Sequence, residues 1–215
     1  MRPTTLADKL ESYRLLIFNS KDAEIQPLLK AVGVDNAYIT QGTNLYNQAM
    51  ALMDKQKKEY QEQSLAYDNF YVAKDEADDN YSRTYKLVKV MSRNNKDLQN
   101  RLKFQNGKSA VIEGWIEQGI DFYNLLQNET EFLATLAKFK ITANRINAES
   151  KALQDLRTLR NQATQEKGQA QEATRLRNEK LDELADYCTE LKALAEIALE
   201  SQPQLLEKLG ILVRS

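Results

Sequence analysis

The sequence contains no histidine, and its 215 residues include only 1 cysteine, 3 prolines and 7 glycines. Without histidine the chain cannot build a Ser-His-Asp or Cys-His catalytic system, and it has no imidazole to act as a base or a metal ligand. A single cysteine, Cys188, cannot form an intramolecular disulfide, which fits a reducing compartment. Because sheet proteins need many glycines and prolines in their turns, the scarcity of both favours an all-α fold.

The charges are balanced, and no long apolar run is present. The chain has 30 Lys and Arg against 31 Asp and Glu, which argues against a dedicated nucleic-acid binder, since phosphate affinity requires an excess of basic residues. No segment approaches the roughly 18 apolar residues of a membrane span. The start, MRPTTLADKLESYR, carries charges where a secretory signal has its apolar stretch. We therefore expect a cytoplasmic protein with no nucleic-acid partner.

The sequence contains an internal similarity at a fixed spacing. QPLLKAVGV, which ends at Val34, reappears with one insertion as QPQLLEKLGI, which ends at Ile211. A looser relative, EFLATLAKFKI, ends at Ile141, and a fourth ending of this type lies at Phe104. Val34 and Ile141 are 107 positions apart, as are Phe104 and Ile211. This spacing predicts a tandem duplication of the whole chain.

Each predicted repeat contains two short helices followed by one long helix. The first repeat, 1–107, is predicted to have short helices at about 5–19 and 25–33 and a long helix at about 36–102. The second repeat, 108–215, is predicted to have short helices at about 110–127 and 130–139, a long helix at about 143–201 and a short terminal turn at 203–209. The clearest turn, Gln-Asn-Gly-Lys, lies at 105–108. We expect both repeats to form one interlocked structural domain.

A heptad pattern runs along both long segments. The positions that a heptad pattern would bury follow one another at alternating intervals of three and four residues from Tyr46 to Leu102 without a break. The equivalent positions 107 residues later run from Leu153 to Leu209. These positions are apolar at both ends and polar towards the middle, at Gln56, Gln63, Lys74, Arg160, Lys167, Thr174 and Arg177. The pattern predicts an elongated bundle in which the long helices pair as an antiparallel coiled coil. Its polar centre would be partly hydrated, and the short helices would wrap its apolar ends to form a dumbbell.

The alternative architecture is a compact up-and-down bundle. In that arrangement each long segment breaks into a hairpin, the first near 78–80 and the second near 167–168. These breaks do not occupy equivalent positions in the two repeats, because Gly168 corresponds to Gln61 at the spacing of 107. Continuous helices are therefore the favoured prediction.

No residue is predicted to be catalytic, to bind a cofactor or to bind a metal. The acidic run of Asp75, Glu76, Asp78 and Asp79 fans around a helix instead of converging on one point, so we interpret it as solvated surface. Trp115 and Cys188 lie at helical spacing with apolar residues and are interpreted as core. The same applies to the tyrosines of the heptad pattern, which could otherwise form a recognition stripe: Tyr46, Tyr60, Tyr67 and Tyr81. Gly114 and Gly119 lack the preceding strand and the GK[ST] signature of a phosphate-binding loop.

Three segments resemble uncharacterised bacterial helical-bundle proteins of unknown function: ITQGTNLYNQA, QKKEYQEQ and the terminal QLLEKLGILVRS. The resemblance implies an all-α fold and no particular activity. Our leading hypothesis is a non-enzymatic helical interaction or scaffold protein of the bacterial cytoplasm, which self-associates or bridges protein partners. The alternatives are an amphipathic-helix protein that binds membranes or lipids, and an enzyme that uses Asp, Glu, Lys or Tyr chemistry.

Overall fold

The computed structural model describes residues 5–104 and 108–212, which are helical and contain no β-strand. The predicted all-α fold is confirmed, while residues 105–107 of the turn predicted at 105–108 lie outside the described residues. The helices are α1 (Leu6–Asn19), α2 (Gln26–Ala31), α3 (Asn36–Met91), α4 (Lys96–Arg101), α5 (Ile112–Asn128), α6 (Thr130–Leu136), a 3-10 helix (Ala137–Phe139), α7 (Ala143–Ala198) and α8 (Gln204–Lys208).

The two long segments, α3 and α7, are each one continuous helix of 56 residues. The hairpin alternative is therefore wrong, and Gly168 lies inside α7. Both helices begin after a residue whose side chain accepts a hydrogen bond from a backbone amide of the first turn. Asp35 accepts from Tyr38 N at 2.9 Å, and Thr142 accepts from Arg145 N at 3.3 Å.

The first long helix ends earlier than the predicted limit of 102, because the chain turns after Met91 and starts a new helix. Asn95, which the heptad pattern treated as a buried position, instead caps α4 by accepting a hydrogen bond from Leu98 N at 3.0 Å. The turn folds Leu98 and Leu102 back onto the core, where both are buried. In the same way α7 ends at Ala198 and not at 201, and the predicted terminal turn at 203–209 contains α8.

The spacing of 107 recurs in the backbone. The long helices begin and end at positions that are 107 apart. The left-handed residues Gly33 (φ 92°) and Lys140 (φ 62°) share this spacing, as do Lys103 (φ 53°) and Gly210 (φ 76°). Each of these residues lies just after a short helix, where a left-handed conformation ends the helix. The duplication itself stays a prediction that these coincidences favour.

The chain divides into two compact units. Unit 1 consists of Met1–Glu59 and Gln169–Ser215, and unit 2 is the continuous segment Tyr60–Gly168. Each unit contains residues from both predicted repeats.

In unit 1 the first part of α3 runs antiparallel to the last part of α7. The Tyr187 hydroxyl donates to the carbonyl of Tyr38 at 2.8 Å, and the Arg177 guanidinium donates to Gln56 Oε1 at 2.7 Å. Helices α1, α2 and α8 cover this pair and complete one apolar core. Its fully buried side chains include Ile17, Ile25, Leu29, Ile39, Leu184, Leu191 and Leu199.

In unit 2 the last part of α3 runs antiparallel to the first part of α7, and Thr84 hydrogen-bonds to Glu149 across the pair. Helices α4, α5 and α6 complete a second core. Its buried side chains include Val88, Trp115, Ile116, Leu126, Leu136, Ile146 and Leu156. Four positions of the heptad pattern are exposed: Tyr60, Asn95, Lys167 and Gln202.

Candidate functional site

Unit 2 contains a cavity of about 390 Å³, which we call the aromatic cavity. It is lined by the C-terminal part of α3, the residues that follow α4, the residue Lys108 and one face of α5. Four rings form its apolar wall: Tyr81, Tyr85, Phe104 and Phe122. The Tyr85 and Phe104 centroids are 4.9 Å apart in an edge arrangement, and the Tyr81 and Phe122 centroids are 5.6 Å apart. Such edge contacts hold aromatic side chains in fixed orientations.

The polar lining of the aromatic cavity is dominated by cations. Four lysines contribute to it, Lys86, Lys89, Lys103 and Lys108, against one carboxylate, Asp121. All four lysines are exposed, so their ammonium groups lie at the water-facing side of the cavity.

The four lysines differ in their partners. Lys108 pairs with Asp78 and also lies over the Trp115 ring at 5.2 Å, while Lys103 lies 4.0 Å from Asp121. Lys89 lies over the Tyr85 ring at 5.9 Å. Lys86 and Lys89 have no carboxylate partner among residues 5–104 and 108–212. These two positive charges are therefore available to an anion.

The two tyrosines of the cavity wall are held in the neutral form. Burial raises the pKa of Tyr81 to about 12, with smaller contributions from Tyr85 and Asp78. Burial also raises the pKa of Tyr85, whose hydroxyl donates to the carbonyl of Phe104 at 3.5 Å. Near neutral pH the cavity therefore offers rings, neutral hydroxyls and ammonium groups.

Unit 2 also buries a carboxylate that sequence reasoning missed. Glu149, which is 9% exposed, accepts hydrogen bonds from the Thr84 hydroxyl at 2.7 Å and the Tyr123 hydroxyl at 2.8 Å. Its second oxygen accepts from Arg145 Nε at 2.7 Å. Burial and the Glu149 carboxylate raise the pKa of Tyr123, so that its hydroxyl remains a donor.

This group of four side chains links α3, α5 and α7. Because both Glu149 oxygens face donors, the buried charge is compensated by hydrogen bonds. The arrangement is suited to fixing the positions of the helices, and it contains no second carboxylate that could act with Glu149 as an acid and base pair. The sequence did contain a signal for Glu149, because the heptad pattern that starts at Leu153 reaches Glu149 when it is extended four residues towards the N-terminus.

Gly42 lies 107 positions before Glu149, and its surroundings are different. A Cβ atom at Gly42 would overlap the ring of Tyr187. That ring stacks on Tyr38 with a centroid distance of 5.0 Å and is buried. Unit 1 therefore places an aromatic ring against a glycine where unit 2 has a buried ionic group.

Three exposed apolar side chains lie on α3 within unit 2. Leu65 is 61% exposed, Tyr71 is 51% exposed and Val72 is 71% exposed. The Tyr71 ring stacks on Tyr67 with a centroid distance of 6.2 Å. We call the three exposed residues, Leu65, Tyr71 and Val72, the α3 surface.

The other residues singled out in the sequence lie either on the surface of the helices or in the apolar cores. Asp75, Glu76 and Asp79 are exposed, as predicted for solvated surface, while Asp78 is half-buried and pairs with Lys108. Trp115 is buried in the unit 2 core, which confirms its interpretation.

Cys188 is 2% exposed in the unit 1 core, and burial raises its pKa to about 12. Its thiol is therefore neutral near physiological pH and cannot act as an activated nucleophile. Gly119 lies in α5, where a Cβ atom would meet the side chain of Leu153, so this glycine serves helix packing. Of the predicted tyrosines, Tyr81 is buried, Tyr46 and Tyr67 are half-buried and Tyr60 is exposed.

Among the described helices, none combines the length and the apolar character that crossing a membrane requires. A scan against protein-family models, a search of curated proteins and a search of solved structures find no match to this chain.

Proposed function

We propose that the protein is a non-enzymatic helical interaction protein that binds a partner protein through the α3 surface. The observation that carries the proposal is the exposure of three large apolar side chains, Leu65, Tyr71 and Val72, within one short stretch of a rigid helix. Isolated exposed apolar residues are ordinary, whereas clusters of them mark interaction sites.

The geometry of the α3 surface suits binding. Leu65 and Val72 are seven residues apart and therefore lie on the same face of the helix. Burying an aliphatic side chain of this size contributes about 1.5–3 kcal/mol. Tyr71 lies about 100° around the helix from Val72, so its ring flanks the pair of Leu65 and Val72 and does not share their face.

Charge favours a different protein over a second copy of this chain. Residues 60–73 contain Glu62 and Asp68 and no Lys or Arg. Two copies that met through this surface would bring like charges together, which disfavours association. We infer a partner whose apolar binding surface is flanked by basic side chains, and we place the interaction in the bacterial cytoplasm.

Two features support the absence of enzymatic activity. The chain has no histidine, so the commonest proton-transfer group is missing. The buried carboxylate, Glu149, has hydrogen-bond donors at both oxygens and is not presented to a substrate. We also infer that the chain arose by tandem duplication, because helix bounds and left-handed residues share the spacing of 107.

The test compares two double variants. In the first, Leu65→Gln and Val72→Gln remove the aliphatic groups of the α3 surface. In the control, Val90→Gln and Ile197→Gln remove two aliphatic side chains of similar exposure elsewhere, 59% and 63%. Each protein is used to capture partners from the cytoplasm of the source cells, and the captured proteins are quantified and then tested after purification.

We expect the α3-surface variant to bind a captured partner at least about tenfold more weakly, since the loss of 1.4 kcal/mol corresponds to a factor of 10. The control should bind like the wild type. Equal capture by all three proteins would contradict the proposal. If only the α3-surface variant loses self-association, the surface binds a second copy of this chain. If only this variant no longer floats with anionic vesicles, the surface binds lipid.

A further inference from the structure

We propose that the aromatic cavity of unit 2 binds a small molecule that combines an aromatic ring with an anionic group. The cavity lies among α3, α5 and the residues around α4, and none of its lining residues belongs to the α3 surface. This inference is therefore independent of the proposed partner binding, and either can fail without the other.

The size and the apolar wall define the first half of the ligand. The volume of about 390 Å³ falls within the range of about 300–1,000 Å³ that is typical of small-molecule sites. The rings of Tyr85, Phe104 and Phe122 contact one another, with centroids between 4.9 and 6.0 Å apart, and form one wall of this space. A flat ring in the cavity could continue the same pattern of edge and stacked contacts.

The lysines define the second half of the ligand. Lys86 and Lys89 have no carboxylate partner in the described part of the chain, and Lys89 lies directly over the ring of Tyr85. An anionic group attached to an aromatic ring in the cavity would therefore come within reach of an unpaired ammonium group. The single carboxylate of the lining, Asp121, lies beside Lys103 and does not neutralise these two charges.

The fold does not require this lining. The positions that lie 107 residues away from the cavity residues carry the same helical framework in unit 1, but their side chains are different. Cys188 corresponds to Tyr81, Lys192 to Tyr85, Ile211 to Phe104, Leu15 to Phe122, Ala193 to Lys86 and Glu196 to Lys89. Because these positions of unit 1 carry one thiol, one lysine, three aliphatic residues and one glutamate, the helices alone do not require rings and lysines at the cavity, and a ligand would account for them.

The test uses two fluorescent probes that differ mainly in charge. Anilinonaphthalenesulfonate carries aromatic rings and a sulfonate, and phenylnaphthylamine carries the same rings without the sulfonate. Each probe is titrated into the full chain, and circular dichroism verifies that every variant is folded. We expect the sulfonate probe to bind with one-to-one stoichiometry and at least about tenfold more tightly than the neutral probe, because each ammonium group within about 4 Å contributes roughly 1 kcal/mol.

Two variants separate the lysines from general charge effects. Lys86→Ala with Lys89→Ala should weaken the sulfonate probe by about tenfold and leave the neutral probe unchanged. The control, Lys57→Ala with Lys138→Ala, changes the net charge equally but removes exposed lysines that do not line the cavity. Leu125→Trp narrows the cavity and should weaken the binding of both probes.

Three results would overturn the proposal: no binding of the sulfonate probe, equal affinity for both probes, or an equal loss of affinity in the control variant. If Leu125→Trp fails to fold, the two lysine variants still decide the question, because they change only exposed side chains.

Discussion

Replacing Glu149 tests whether the buried group of four side chains stabilises unit 2 as the structure indicates. Glu149→Leu removes the acceptor of three hydrogen bonds, from Thr84, Tyr123 and Arg145. The Thr84 and Tyr123 side chains are almost completely buried, so their hydroxyls cannot turn to water. Each unsatisfied buried hydroxyl costs about 1–3 kcal/mol. Arg145 is partly exposed and can regain hydration.

Thr84 has an additional way to recover part of this loss. A threonine inside a helix can donate to the carbonyl four residues earlier, which satisfies its hydroxyl. Tyr123 has no such local acceptor. We therefore expect Glu149→Leu to lower the free energy of unfolding of unit 2 by about 3 kcal/mol.

The decisive comparison is a triple variant. Adding Thr84→Val and Tyr123→Phe to Glu149→Leu removes both hydroxyls that donate to Glu149 and leaves apolar groups of similar shape. The triple variant should therefore be about 1–2 kcal/mol more stable than Glu149→Leu alone, although it contains more substitutions.

The assay can follow unit 2 alone. Trp115 is the one tryptophan of the sequence and lies in the unit 2 core, so its fluorescence during urea unfolding reports on this unit. A cost below about 1 kcal/mol for Glu149→Leu, or a triple variant less stable than the single one, would refute the reasoning.

Three further outcomes follow from the packing and the pKa shifts. Gly42→Ala should destabilise the protein by about 1 kcal/mol, because the clash with Tyr187 outweighs the gain in helix propensity. Gly168→Ala, which has open space around it, should stabilise the protein by up to about 1 kcal/mol. Urea unfolding followed by circular dichroism checks both variants, and equal effects would contradict the packing. Cys188 should react slowly with an aqueous thiol reagent in the native protein and fast in urea, and equal rates would contradict its burial. The free energy of unfolding should fall as the pH rises from about 9 to about 12. In this range the unfolded chain loses its thiol and phenol protons, whereas folded Cys188 and Tyr81 retain theirs because their pKa values are raised to about 12. A urea midpoint that stays constant over this range would contradict the shifts.

The periodicity of the sequence was enough to predict the helices but not all of their ends. A heptad pattern reports which positions can be buried along a continuous helix, and it correctly predicted that α3 and α7 are not broken into hairpins. It could not report that Asn95 caps a new helix, because a polar residue at a buried position and a capping residue look alike in a pattern. The pattern also predicted burial for Tyr60, which is exposed. A heptad pattern identifies one face of a helix, but it does not show whether another helix packs against that face.

The aromatic cavity could not be predicted from the sequence. Its lysines come from α3, from the segment after α4 and from the start of the following segment, and only folding brings them together. The four rings are likewise separated along the chain, and each one alone is typical of a core residue. Glu149 was within reach of the heptad pattern, but a carboxylate at a buried position becomes interpretable only when its donors are known.

The most direct test of the proposed function is photocrosslinking in living cells. A photoreactive amino acid is placed at position 72, on the α3 surface, and in a second protein at position 197, which is similarly exposed. We expect a discrete adduct with another protein at position 72 and none at position 197. The same adducts at both positions, no adduct at position 72, or an adduct made only of two copies of this chain would contradict the proposed function.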